Sequence, residues 1–134
     1  MALWQRDDHF KPDEIEGAGK MTNHITIRKA AGTWVVRAGG AVLGETTNAL
    51  ELSEGDAPAV YYFPRADIGM AFLDSSPTTT HCPHKGDARY FSIVTKSEVL
   101  KDAAWSYETP LADMARIAGH LAFYANDKVA VEKL

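Results

Sequence analysis

The sequence predicts a mainly β domain, built of coiled antiparallel sheets or a partly closed barrel, with one C-terminal helix. Three observations carry this. Short β-branched and aromatic segments recur along the chain, each bounded by turn residues. Gly39-Gly40 stands between two of them as a hairpin turn, because glycine accepts positive φ. One late segment alone carries helical spacing.

The elements follow in order. His24-Ile25-Thr26-Ile27-Arg28 alternates at period two, and Thr33-Trp34-Val35-Val36-Arg37 is β-branched and aromatic. After the glycine pair, Ala41-Val42-Leu43 returns as a strand. Ala59-Val60-Tyr61-Tyr62-Phe63 is a further strand, stopped by Pro64. Residues 67–73 read as one or two helical turns, and residues 78–88 as a loop, since Pro83 and Gly86 oppose regular structure. Residues 89–95 and 99–107 form an antiparallel pair across the turn Lys96-Ser97-Glu98. Thr109 is a candidate N-cap, with Pro110 at the first helical position. Leu111, Met114, Ala115 and Ala118 follow with i, i+3, i+4, i+7 spacing, and Gly119 stops the helix. Residues 120–124 alternate like a strand, and Asn126-Asp127-Lys128 turns into Val129-Ala130-Val131.

A length of 134 residues sets one domain, with residues 1–20 a polar extension and residues 21–134 the β-rich unit. With 46% hydrophobic and 24% charged residues, such a chain buries enough surface to fold without disulfide or metal. The net charge is −4 and no basic run occurs, so no nucleic-acid partner is expected. No apolar run reaches the roughly 20 residues of a membrane span. The acidic N-terminus lacks the apolar core of a signal peptide, and one cysteine forms no internal disulfide. These point to a cytoplasmic location, and no cofactor is expected.

The densest chemistry lies in Thr79-Thr80-His81-Cys82-Pro83-His84-Lys85-Gly86-Asp87. Loops on rigid scaffolds commonly carry function. Positive neighbours raise a thiol's thiolate fraction, so Cys82 is a candidate nucleophile; the competing reading is a buried cysteine that fills space. His81 and His120 are candidate acid/base groups, because histidine titrates near neutrality. His81, Cys82 and His120 together would make an open metal site, but the cysteine and histidine count is too low for a closed one, and no metal is expected. Lys85-Gly86-Asp87 lacks the frame of a phosphate-binding P-loop. A second set comprises Tyr61, Tyr62, Arg65, Trp105 and Tyr107, polar aromatics and an arginine of the kind that line small-molecule pockets. The competing reading is a core with its polar tips at the edge. The ligand-binding candidates are Tyr62, Arg65, Lys85, Asp87, Trp105 and Tyr107.

Several ordered motifs carry a resemblance to a known family. They are Tyr61-Tyr62-Phe63-Pro64-Arg65, Thr79-Thr80-His81-Cys82-Pro83 with Lys85-Gly86-Asp87-Ala88, and Asp102-Ala103-Ala104-Trp105-Ser106-Tyr107. Ile117-Ala118-Gly119-His120 and Ala122-Phe123-Tyr124 complete the set. Over residues 22–130 the chain resembles the domain of unknown function 427 family, sometimes labelled nucleotidyltransferase-like. The resemblance implies a small, mainly β domain and no established activity. At His84 the chain departs from the family, which more often has an aromatic residue there.

Three functions remain open on the sequence. The first is a domain that binds, and as an enzyme would act on, a small polar or anionic metabolite. The second is a non-catalytic structural or interaction module. The third is an open metal site with hydrolytic chemistry.

Overall fold

The computed structural model describes residues 24–134. The expected N-terminal extension, residues 1–20, lies outside the described residues. Ten strands order the rest: β1 (Ile25–Lys29), β2 (Trp34–Ala38), β3 (Ala41–Thr46), β4 (Leu50–Glu54), β5 (Val60–Tyr62), β6 (Leu73–Cys82), β7 (Gly86–Val94), β8 (Val99–Ser106), β9 (Ala122–Phe123) and β10 (Val129–Lys133). They form three antiparallel sheets, in the orders β1-β4-β5, β10-β2-β3 and β6-β7-β8-β9. Among the described residues the sheets do not close into a barrel. One bridge links two of the sheets: Phe63 and Leu121 exchange backbone hydrogen bonds of 2.8 and 2.9 Å.

The Gly39-Gly40 turn forms as its sequence dictates, with φ of 57° and 77° joining β2 to β3. Two strands carry no clear strand signal in the sequence. β4 follows Asn48, and β6 spans a stretch of serine and threonine interrupted by Pro77. Pro77 is tolerated because β6 is an edge strand and its pairing with β7 shifts register between Ser75 and Thr79. Much of the expected loop at 78–88 is therefore a hairpin: β6, the three-residue turn Pro83-His84-Lys85, and β7. The expected β10 is present, but its partner is β2, 95 residues away at the Arg37–Glu132 ion pair.

The C-terminal helix is corrected. Residues 112–117 form a 3-10 segment, broken at Met114 and preceded by Leu111, with no side-chain cap. Met114 and Ile117 are buried at the three-residue spacing of that geometry, while Leu111, Ala115 and Ala118 face solvent. Pro110 and the apolar spacing supported one turn, but only two side chains find a core to fill. Two further 3-10 turns, Arg65–Asp67 and Met70–Phe72, occupy the region expected to be helical. Among the described residues no helix is long and apolar enough to cross a membrane.

The four-stranded sheet serves two cores. Side chains alternate along a strand, so neighbours face opposite ways. Phe91, Ile93, Ala104 and Phe123 join Val36, Leu43, Phe63 and Val129 in one cluster. Tyr90, Trp105, Tyr107 and Ala122 join Leu52, Tyr62, Cys82 and Ile117 in the other.

Candidate functional site

A cavity of about 290 Å³ opens beside the second core. All three sheets contribute to its wall: Leu52 and Tyr62 from β4 and β5, Trp105 and Phe123 from β8 and β9, and Val131 from β10. The connection from β4 to β5 supplies Ala57, Pro58 and Ala59 as one lip. Tyr61 and Tyr124 add two more aromatic rings.

The rings are held by one another. Tyr62 and Trp105 meet edge to face at 6.4 Å between centroids, and the indole Nε1 donates to the Tyr62 hydroxyl at 3.3 Å. Trp105 packs on Tyr124 at 4.4 Å, and Tyr61 stacks on Trp34 at 4.1 Å. The hydroxyls of Thr80, Tyr90 and Tyr124 run in series, at 3.1 and 3.4 Å. Burial pushes the Tyr62 hydroxyl up to about 12, beyond the ordinary tyrosine value, so it stays protonated.

Among the described residues, two charged groups line this cavity, Glu54 and Lys85. Lys85 is 3% exposed, and its Nζ donates to Glu54 Oε1 at 2.8 Å and to Cys82 Sγ at 3.4 Å. Burial opposes the lysine's charge, but the Cys82 sulfur and the Glu54 carboxylate outweigh it and hold the ammonium well above the ordinary lysine range. The chain delivers Lys85 there through a tight turn. The Lys85 amide bonds the Cys82 carbonyl at 3.2 Å, and the Lys85 carbonyl accepts from the Leu111 amide at 2.9 Å. Gly86 follows with φ of 114°, a backbone conformation that favours glycine.

The expected site residues divide. Tyr62, Lys85 and Trp105 line the cavity together. Cys82 and Tyr107 are fully buried in the same core, outside the lining, with Cys82 behind Lys85. The others go elsewhere. His81 and Asp87 pair with each other at 2.7 Å on the surface, His81 pointing away from its neighbour Cys82. His120 is half-buried, its Nδ1 3.2 Å from the Ala118 carbonyl oxygen. Arg65 donates to the Gly119 carbonyl at 3.1 Å and to Glu108 at 2.7 Å, with its guanidinium over the Phe91 ring. It braces a loop rather than facing the cavity. His81, Cys82 and His120 do not converge, and among the described residues no three His, Cys, Asp or Glu side chains come together as a metal site.

Glu54 is the residue that sequence reasoning missed. It ends an unread strand, one position before Gly55. The available signal was indirect: a lysine followed by glycine in a tight turn needs a counter-charge once buried.

The arrangement offers an apolar, aromatic enclosure with one compensated ion pair in its wall. It suits recognition of a small organic body by ring faces and orientation of that body by polar atoms at one end. No curated protein matches this chain. A family model described as "Domain of unknown function (DUF427)" matches residues 26–133, and the chain belongs to that family.

Proposed function

We propose that this domain binds a small organic molecule in the aromatic cavity, with an apolar body between the rings and a polar head at Glu54 and Lys85. The observation that carries the reading is the ion pair itself. Two opposite charges stand within 2.8 Å in a wall otherwise built of aromatic and aliphatic groups. Buried charge of this kind costs solvation free energy, and a hydrophobic pair of similar volume would serve stability as well or better. A ligand-directed role accounts for its presence. The cavity volume sits at the lower end of small-molecule sites, roughly 300–1,000 Å³, which fits a metabolite of one or two rings.

The support extends to binding rather than turnover. Cys82 lies beneath the lining, and His81, His120 and Arg65 are engaged elsewhere.

A fragment library screened by thermal shift and by the indole NH resonance of Trp105 tests the reading. Binding to the folded state alone raises the melting temperature. Ligands that do so and move the Trp105 signal are expected. A library that leaves Trp105 unmoved throughout, with hits only at other residues, would remove the proposal.

A further inference from the structure

Resting on the cavity as a ligand site, we infer that its ligand has an uncharged head carrying a hydrogen-bond donor and acceptor side by side, as in an amide, lactam or nucleobase edge. The argument begins with charge. Among the described residues, Glu54 and Lys85 are the two charged groups in the lining, and they are 2.8 Å apart. Their formal charges cancel. Among the described residues, the surrounding wall is Leu52, Tyr62, Trp105 and other aromatic or aliphatic groups, with no second cation.

A carboxylate or phosphate entering this wall would bring a net negative charge into a poorly polar space. It would meet the Lys85 ammonium only in competition with Glu54. Recognition of such anions relies on several donors or a bidentate guanidinium, and the arginine expected to supply one, Arg65, is bound to Gly119 and Glu108 instead. A cationic head meets the converse difficulty at Lys85. A neutral head pays neither cost. Its N–H can approach the Glu54 carboxylate while its carbonyl approaches the ammonium, so that each charge of the pair gains a dipole of the right sign. The aromatic walls then favour a flat body attached to that head.

This sharpens the sequence-based expectation of a polar or anionic metabolite. It also predicts how specificity would change. Glu54→Gln removes the negative member of the pair and should turn the preference toward anions.

The experiment uses three probes of one shape: benzamide, benzoate and benzamidine. Their affinities for the full-length wild type are measured by NMR titration of the Trp105 indole. Benzamide is expected to bind about fivefold or more tightly than either charged probe, and in E54Q benzoate is expected to overtake benzamidine by a similar factor. Thermal unfolding of E54Q establishes that the variant is folded; if it is not, the wild-type ranking decides alone. Benzoate or benzamidine leading in the wild type would overturn the inference while leaving the cavity a ligand site. Fragment hits at Trp105 with a charged head would do the same. Failure of all three probes, together with a library silent at Trp105, would instead remove the binding reading beneath it.

Discussion

The carboxylate of Glu54 stands 2.8 Å from the ammonium of Lys85 and so joins the ends of two hairpins that lie 31 residues apart in the chain. Glu54 closes β4, and Lys85 closes the turn between β6 and β7. The pair is therefore a tie between two sheets as well as a feature of the cavity.

Breaking that tie from one side strands a charge. Lys85→Met should cost about 2–4 kcal/mol in urea denaturation, because Glu54 loses its counter-ion in a largely enclosed position. The double variant Lys85→Met, Glu54→Leu should recover much of that loss. If the double variant is no more stable than the single one, the two residues do not act as a pair.

Alkaline pH should unfold the domain through two groups. Lys85 and Tyr62 both hold their protons more tightly in the folded state than in the unfolded chain. Their contributions are complete below the unfolded values, 10.5 and 10.0, and are lost as pH rises toward the folded ones. For Tyr62 the decline runs from pH 10.0 to about 12 and amounts to about 3 kcal/mol. Chemical denaturation across that range should show it. Tyr62→Phe should flatten the decline while costing about 1 kcal/mol at neutral pH through the lost Trp105 bond.

Cys82 should be chemically silent in the native protein. It is fully buried behind Lys85, so iodoacetamide should label it slowly when folded and rapidly after unfolding. Fast native labelling would mean that the cavity opens to the sulfur.

The 3-10 segment makes unequal demands on its apolar residues. Ile117→Ala should cost about 2–4 kcal/mol, since its side chain is fully buried, and Leu111→Ala less than about 0.5 kcal/mol, since Leu111 is exposed. An α-helix with the expected spacing would bury Leu111 as well, so comparable losses would restore that geometry.

Gly44 has no room for a side chain. A methyl group there would meet the Ile68 side chain and stand 2.6 Å from the Asp67 carbonyl oxygen. Gly44→Ala should therefore destabilise by about 1–3 kcal/mol, read from its urea midpoint. A neutral result would mean that the 3-10 turn beside β3 yields easily.

What could be read beforehand was local. The strand on either side of Gly39-Gly40, the pair across residues 95–98 and the strand at Tyr61-Tyr62 each announce themselves within a few residues. β6 does not, because serine, threonine and a proline on an edge strand look like a loop until β7 is placed against them. The pairing of β10 with β2 is set by tertiary packing, which no window of sequence contains. The same limit divided the candidate site. Tyr62, Lys85 and Trp105 carry site-like chemistry, as do His81, Asp87 and His120, but only the fold decides which side chains share a cavity. His81 and Cys82 show the difference most directly: one step along an edge strand takes the side chain from solvent to core.

The sheet that feeds two cores also restricts how the sequence can change in length. Tyr90 and Phe91 belong to opposite clusters, as do Ala104 and Trp105. One residue inserted within β7 or β8 would turn each downstream side chain to the opposite face; in β8, an insertion ahead of Ala104 would send Trp105 toward the cluster that Ala104 fills and leave alanine where tryptophan packs. Additions at the turns leave that alternation intact. Length variation is thus confined to the hairpin ends, and one of those ends, at Pro83-His84-Lys85, carries the cavity's ammonium. A changed turn there would alter what the cavity recognises without disturbing the framework that encloses it.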